Sequence, residues 1–330
     1  MHDQKVLITG ATGFTGGHLC RALVARGYAV RALVRDEQRA ADLRALGVEL
    51  IPGDLRDRAA LQRAVQGVEA VYHIAALFRQ ENVTRQEMWA INADGTRNLL
   101  DAAAAAGVGR FVHCSTIGVH GAIKQPPATE ESPYGPGDDY QESKTAGEKV
   151  ALQYMAEARL PITIFRPGGI YGPGDLRFLK LFRTIQQRKF IMFGSGKVLY
   201  QLVYIDDLIN GILLCGSKAE ALGQVYILTG AAPVTLNELV QQIAQVVGVP
   251  SPRWHLPVMP LYLAGFACEL LCKPLGIAPP LYRRRVDFFR KDRAFSIQKA
   301  QTQLGFAPKV DLPCGLQQTA AWYQQKGLLA

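Results

Sequence analysis

Through the first half of the chain, apolar residues fall in short unbroken runs, and between the runs they recur at three- and four-residue spacing. The runs at 5–9, 29–34, 49–51, 70–74, 110–115 and 162–166 predict strands buried on both faces. The spaced patterns at 14–26, 36–46, 57–65, 85–106 and 138–158 predict helices, and the alanine-rich stretch 101–106 prolongs one of them until Gly107 ends it. Strands alternating with helices predict an α/β fold built on a doubly wound parallel sheet. Beyond residue 166 the regularity weakens, and turns at 167–169, 172–174 and 194–196 separate mixed elements. The division expected is a main domain of 1–166 plus 202–228, the latter returning one strand and one helix to the sheet. A smaller, discontinuous C-terminal substrate lobe takes 167–201 plus 229–330.

The first strand breaks into Gly10, Gly13 and Gly16, and a helical pattern follows at once. Strand, glycine turn and helix is the arrangement that sets a diphosphate on a helix N-terminus, as in a Rossmann-type sheet. Gly10 serves the sharp turn, Gly13 the approach of backbone to phosphate, and Gly16 the packing of helix on strand. At the end of the second strand an acid would hold the ribose of NAD and an arginine the 2′-phosphate of NADP. Val34 stands where the acid is expected and Arg35 follows, so NADP is favoured over NAD; Asp36 could still reach a ribose, and Arg35 could simply face solvent. Asp54, followed by Leu55, is either a carboxylate near the adenine amino group or a helix N-cap. Ala75 and Ala76 are small where a cofactor would pass close to backbone.

With 48% apolar and 20% charged residues, the 330-residue chain is globular, not disordered. Its first strand begins too early for a signal peptide, and six scattered cysteines form no CxxC pair or Cys/His ligand spacing. The expectation is a cytoplasmic protein with reduced thiols and no metal site. The net charge of +9 owes much to Arg283, Arg284, Arg285, Arg290, Lys291 and Arg293. These read as a solvated basic face with one arginine turned to an anionic substrate, or as a contact with an acidic membrane surface through 256–293. No motif supports nucleic-acid binding. The stretch 256–282 is unusually apolar, but its uncharged run from Leu256 to Cys268 is too short to span a bilayer, which needs about 20 apolar residues. It reads as an ordinary buried helix, or as a lid over a greasy substrate or an interfacial contact.

Tyr140 and Lys144 lie four apart on a predicted helix and so share a face. A free phenol, with a pKa near about 10, is a poor base at neutral pH. A neighbouring ammonium and a cationic nicotinamide favour its phenolate. Ser115 and Thr116, ending the fifth strand, supply two hydroxyls that could orient a substrate oxygen.

With these pieces in place the chain resembles the extended short-chain dehydrogenase/reductase superfamily, the NAD-dependent epimerase/dehydratase group. The resemblance rests on TGATGFTG at 9–16, GDLRD at 53–57, HIAA at 73–76, NADGTRNLL at 92–100, CSTIGVHG at 114–121, YQESK at 140–144, RPGGIYGPGD at 166–175, VYIDD at 203–207 and SIQKAQTQLGFAP at 296–308. It implies a catalytic role for Thr116, an acid/base role for Tyr140 and a ribose-binding role for Lys144. It also implies cofactor contacts from Thr12 and Phe14 beside the glycines, and from Pro167, Gly168 and Ile170 against the nicotinamide. Asn92 and Asp207 are implied to be structural, and a homodimer is implied through the helices at 85–106 and 138–158. Nucleotide-sugar members carry a diphosphate-gripping arginine where this chain has Tyr200. Residues 256–282 and the basic segment after them are similar to the 3β-hydroxysteroid dehydrogenase and sterol-decarboxylating branch.

The function expected is an NAD(P)-dependent oxidoreductase moving hydride between nicotinamide and a secondary alcohol or ketone carbon. A small-molecule substrate of sterol or isoprenoid type stands ahead of a nucleotide sugar. The alternatives are a nucleotide-sugar epimerase using the same Tyr/Lys/Thr site, a dinucleotide-binding redox sensor without turnover, and a membrane-surface assembly factor. Ile117-Gly118 after Thr116, where an Asp-Glu pair would be wanted, ranks 4,6-dehydration low.

Overall fold

The structure is a computed structural model describing residues 4–78, 83–272 and 279–329, without the side chain of residue 284. Seven strands, β1 (Lys5–Thr9), β2 (Ala29–Val34), β3 (Glu49–Pro52), β4 (Ala70–His73), β5 (Arg110–Cys114), β6 (Ile162–Pro167) and β7 (Val225–Leu228), form one sheet. All pairings are parallel, in the order β7-β6-β5-β4-β1-β2-β3. The order reverses between β1 and β4, and a crevice opens there at the carboxyl ends.

Side chains alternate across the sheet, so each strand feeds two cores. Val6, Ile8, Val30 and Val112 pack with helices α1 (Phe14–Ala25) and α5 (Ile205–Ser217). Leu7, Val71, Phe111 and Ile162 pack on the other face with α2 (Arg58–Val65), α3 (Gly95–Ala105) and α4 (Asp139–Ala156). The first core runs on into the C-terminal half through Phe182, Tyr200, Leu239 and Tyr323. Arg31, buried in β2, donates to the carbonyls of Ala64 and Gln66 at the end of α2 and pairs with Glu49 at 3.0 Å.

Several elements depart from the sequence pattern. In place of a helix over 36–46, a short turn of helix (Gln38–Ala40) leads into Ala41–Ala45, because the Asp36 carboxylate accepts the amides of Gln38 and Arg39. The helix predicted over 85–106 is Arg85–Trp89, a wide π turn at Ala90–Asp94, and then α3. Gly147 of α4 packs directly on that turn, where a Cβ would stand 2.2 Å from the Asn92 carbonyl oxygen. Within 202–228, α5 and β7 return to the sheet, while Leu202–Tyr204 pairs instead with Gly169–Tyr171. Asp207 accepts the amides of Lys309 and Val310, tying α5 to the C-terminal segment.

The expectation of a buried helix in 256–282 does not hold. Helix α6 (Val258–Cys272) packs mainly on the short helix Arg283–Val286, and of its residues only Gly265 is buried. A single small residue makes the close approach, so the apolar side chains around it stay outside. Residues 273–278 of that stretch lie outside the described residues. Among the described residues no helix is long and apolar enough to cross a membrane.

Candidate active site

A cavity of about 840 Å³ opens at the carboxyl ends of β1, β4 and β5, beneath the turns that follow β6 and the segment 285–295. Gly10, Thr12, Gly13, Phe14 and Gly16 line it from the first turn, and Arg35, Asp54 and Leu55 from the ends of β2 and β3. Ala75 and Ala76 follow β4, Thr116 follows β5, Tyr140 and Lys144 come from α4, and Pro167, Gly168 and Ile170 from the end of β6. Residues from seven separate stretches of sequence thus share one wall.

At the glycine end the backbone is shaped for close contact. Gly10 has φ +77°, and a Cβ there would lie 2.8 Å from the backbone of Ala75. Gly13 starts α1 with no side chain capping it and no acid in the first turn, so the positive helix end is not offset by the protein itself. Asp54 accepts Arg56 N at 2.9 Å and Arg56 Nε at 2.7 Å. Burial raises its carboxyl, but Arg56 and the charge of Arg35 outweigh that and hold it below its ordinary value. The cap of α2 is Asp57, which accepts Ala60 N, so the N-cap reading of Asp54 falls. Arg35 is exposed at the rim, whereas Asp36 is engaged in its own turn. An uncapped helix start, a glycine cradle, a rim arginine and a carboxylate one strand away fit a dinucleotide.

At the other end α4 presents Tyr140 and Lys144 to the cavity, its first turn capped by Asp138. Lys144 is buried and donates from Nζ to the Cys114 carbonyl at 2.6 Å, and burial pulls its pKa down. The Tyr140 ring meets Phe78 edge-on at 4.9 Å. Thr116 Oγ1 accepts Gly118 N at 3.1 Å, which fixes the oxygen while its own O–H remains a donor. Ser115, the other hydroxyl candidate, is buried and donates to Glu148.

That bond belongs to a network invisible in the sequence. Glu148 of α4 pairs with Arg166 of β6 at 2.6 Å, and both are buried. Tyr134 donates to the same carboxylate at 2.6 Å. Burial raises Glu148, but the ion pair and the two hydroxyls outweigh it and hold the carboxyl below its ordinary value. A second network joins the strand ends. Thr96 donates to Asn92 O at 2.8 Å, so it accepts from His73 Nε2 at 2.9 Å, and His73 Nδ1 accepts from Thr9 at 2.8 Å. Burial pushes the imidazole down to about 3, which keeps it neutral. The Asn92 side chain holds Leu77 N and O and Ser143 Oγ, so the π turn clamps the loop after β4 to α4. Among these partners the sequence marked Ser115 as a hydroxyl candidate and, through the family resemblance, Asn92 as structural; it gave no sign of the pairings.

The remaining wall comes from the C-terminal half. Phe178, Leu181, Tyr200, Phe288 and Phe295 line it with Arg285, Lys291 and Arg293. Tyr200 is buried, donates to Phe288 O at 2.5 Å and accepts from Arg293 Nη1 at 2.6 Å.

Residues 6–228 match the NAD dependent epimerase/dehydratase family. The chain belongs to that family. It is 33% identical over 341 residues to "Sterol demethylase protein B" of Methylococcus capsulatus, covering 99% of this chain and 100% of the relative. It is 31% identical over 338 residues to a 2-alkyl-3-oxoalkanoate reductase of Stenotrophomonas maltophilia, covering 96% and 99%. Its fold is similar to the crystal structure of a dTDP-glucose 4,6-dehydratase from Streptomyces venezuelae solved with NAD bound, at a TM-score of 0.77 and 27% identity, covering 98% and 97%. This member of the family is therefore an enzyme, an oxidoreductase or epimerase of the extended short-chain dehydrogenase/reductase type, and a nicotinamide dinucleotide is its cofactor.

Proposed function

We propose that this enzyme transfers hydride between the nicotinamide of NADP and a secondary alcohol or ketone carbon of a bulky apolar substrate of sterol or isoprenoid type. The observation that carries the substrate class is Tyr200. Where nucleotide-sugar members of the family place an arginine, this chain has a buried phenol whose hydroxyl is spent on Phe288 O and Arg293. Phe178, Leu181 and Phe288 continue an apolar wall beside it. The two relatives above bear names with a sterol and an alkyl-chain oxoalkanoate, the latter a carboxylate with apolar chains, and their apolar bulk supports the same class. Arg35 at the rim supports NADP.

When bound, the nicotinamide supplies the hydride acceptor or donor. In the oxidative direction Tyr140 takes the hydroxyl proton as the carbinol hydrogen leaves as hydride, and in reduction it returns that proton to the carbonyl oxygen. Thr116 donates to the same oxygen and fixes its distance from Tyr140. Lys144, one turn along α4, places a positive charge that favours the phenolate and a donor for the nicotinamide ribose.

A second reading, nucleotide-sugar epimerisation by the same three residues, draws on Arg285, Lys291 and Arg293, which put cations on the cavity wall. The test is a turnover screen at the nicotinamide absorbance band with sterols, long-chain ketones and nucleotide sugars, each with NAD and NADP. Net absorbance change with an apolar alcohol or ketone supports the proposal. Conversion of a sugar without net change would overturn it in favour of the epimerase.

A further inference from the structure

The outer surface of α6 is apolar without a break. Met259, Leu263, Phe266, Leu270 and Leu271 are all exposed, Leu271 at 68%. The spacing of 259, 263, 266 and 270 puts them along one side of the helix. The only charge on the helix, Glu269, is neutralised by Arg283 at 2.9 Å. Trp254, in the segment just before α6, is 77% exposed. A bare apolar helix of this length on a globular protein marks an interaction surface.

Its surroundings say which kind. Arg290 lies over the Tyr262 ring at 4.1 Å and Arg283 over the Phe266 ring at 5.0 Å. Arg290 therefore brings a cation to the apolar face at the level of its aromatic rings, beside the Arg283–Glu269 pair, in a chain of net charge +9. An apolar face rimmed by arginine, with an exposed tryptophan beside it, complements an anionic bilayer interface, where acyl chains meet negative headgroups. The same segment then turns into the cavity wall, since Arg285, Phe288 and Lys291 line the site.

We propose that α6, with Trp254, docks this enzyme on an anionic membrane surface and sets the cavity mouth against the lipid, so that an apolar substrate enters from the bilayer. This rests on the apolar-substrate reading for the substrate's route, and not for the docking itself.

The test is co-sedimentation with vesicles of phosphatidylcholine alone and of phosphatidylcholine with phosphatidylglycerol. Wild-type protein should sediment with the anionic vesicles and stay in the supernatant with the neutral ones. Binding should weaken at least about tenfold between about 0.05 M and about 0.5 M salt. The double variant Leu263→Asp/Leu270→Asp should lose binding by at least about tenfold, and Arg290→Gln should weaken it less. Both should retain turnover of a detergent-dispersed alcohol and lose the rate enhancement on substrate held in anionic vesicles. Wild-type protein that turns over dispersed apolar alcohol without binding vesicles would overturn the docking and leave the substrate class standing. Vesicle binding without turnover of any apolar alcohol would overturn the substrate class and leave the docking standing. A dimer in light scattering that Leu263→Asp/Leu270→Asp converts to monomer, with no vesicle binding, would show that a second copy covers the face and overturn the proposal.

Discussion

Replacing Glu148 by Gln should destabilise the protein severely while leaving its shape almost unchanged. The wild-type carboxylate answers Arg166 from within the interior, both side chains being at most 3% exposed. Arg166 would keep neutral partners, with Nη1 on Glu130 O at 2.8 Å and Nη2 on Tyr134 at 3.1 Å, but it would lose the counter-charge that Glu148 supplies. The new amide NH₂ would meet donors whichever way it turned, Tyr134 and Arg166 on one side and Ser115 and Arg166 on the other. Stranding one member of a buried pair costs about 3–5 kcal/mol. Urea unfolding should show a lower midpoint at unchanged slope. The double variant Glu148→Gln/Arg166→Met should recover most of the loss, since no buried charge then remains. The pH dependence has a defined sign. The folded carboxyl sits below the unfolded value of about 4.3, so its contribution is complete above that pH and is lost as pH falls through the folded value. The difference between wild type and Glu148→Gln should shrink below about pH 4.3 for that reason. A loss under about 1 kcal/mol at neutral pH, or a difference that grows on acidification, would refute this account of the network.

Other perturbations test the rest of the site. Gly10→Ala places a Cβ 2.8 Å from the Ala75 backbone at φ +77° and should abolish dinucleotide binding in a fluorescence titration. Arg35→Ser should raise the KM for NADP by more than about tenfold and leave that for NAD nearly unchanged, consistent with a lost charge-assisted phosphate contact. Asp57→Ala removes the cap of α2 and should cost about 1 kcal/mol in thermal unfolding, whereas Asp54→Ala should affect cofactor affinity more than stability.

Much of this architecture could be read directly from the chain, and the reasons are local. Strands such as Lys5–Thr9 and Ile162–Pro167 are apolar on both faces, and helices such as Phe14–Ala25 follow glycine turns. The proposed cofactor and catalytic residues could be located because each sits at a strand end or on a helix one turn from its partner. What stayed hidden depends on distance in sequence. Glu148 and Arg166 lie 18 residues apart on different elements, so nothing in either neighbourhood marks them as a pair. The π turn at Ala90–Asp94 arises from the packing of Gly147 and the bonds of Asn92, and no helical propensity encodes it. The exposure of Val258–Cys272 was equally illegible, because an apolar helix reads the same whether or not another element covers it.

The central claim is that Tyr140 exchanges the substrate proton beside a nicotinamide held by this cavity. Its most direct measurement compares wild type and Tyr140→Phe with an apolar secondary alcohol and NADP, reading nicotinamide absorbance for turnover and fluorescence for cofactor binding. The expectation is a kcat lower by about 10²–10⁴ with the cofactor Kd unchanged. A variant that turns over at the wild-type rate would contradict the account.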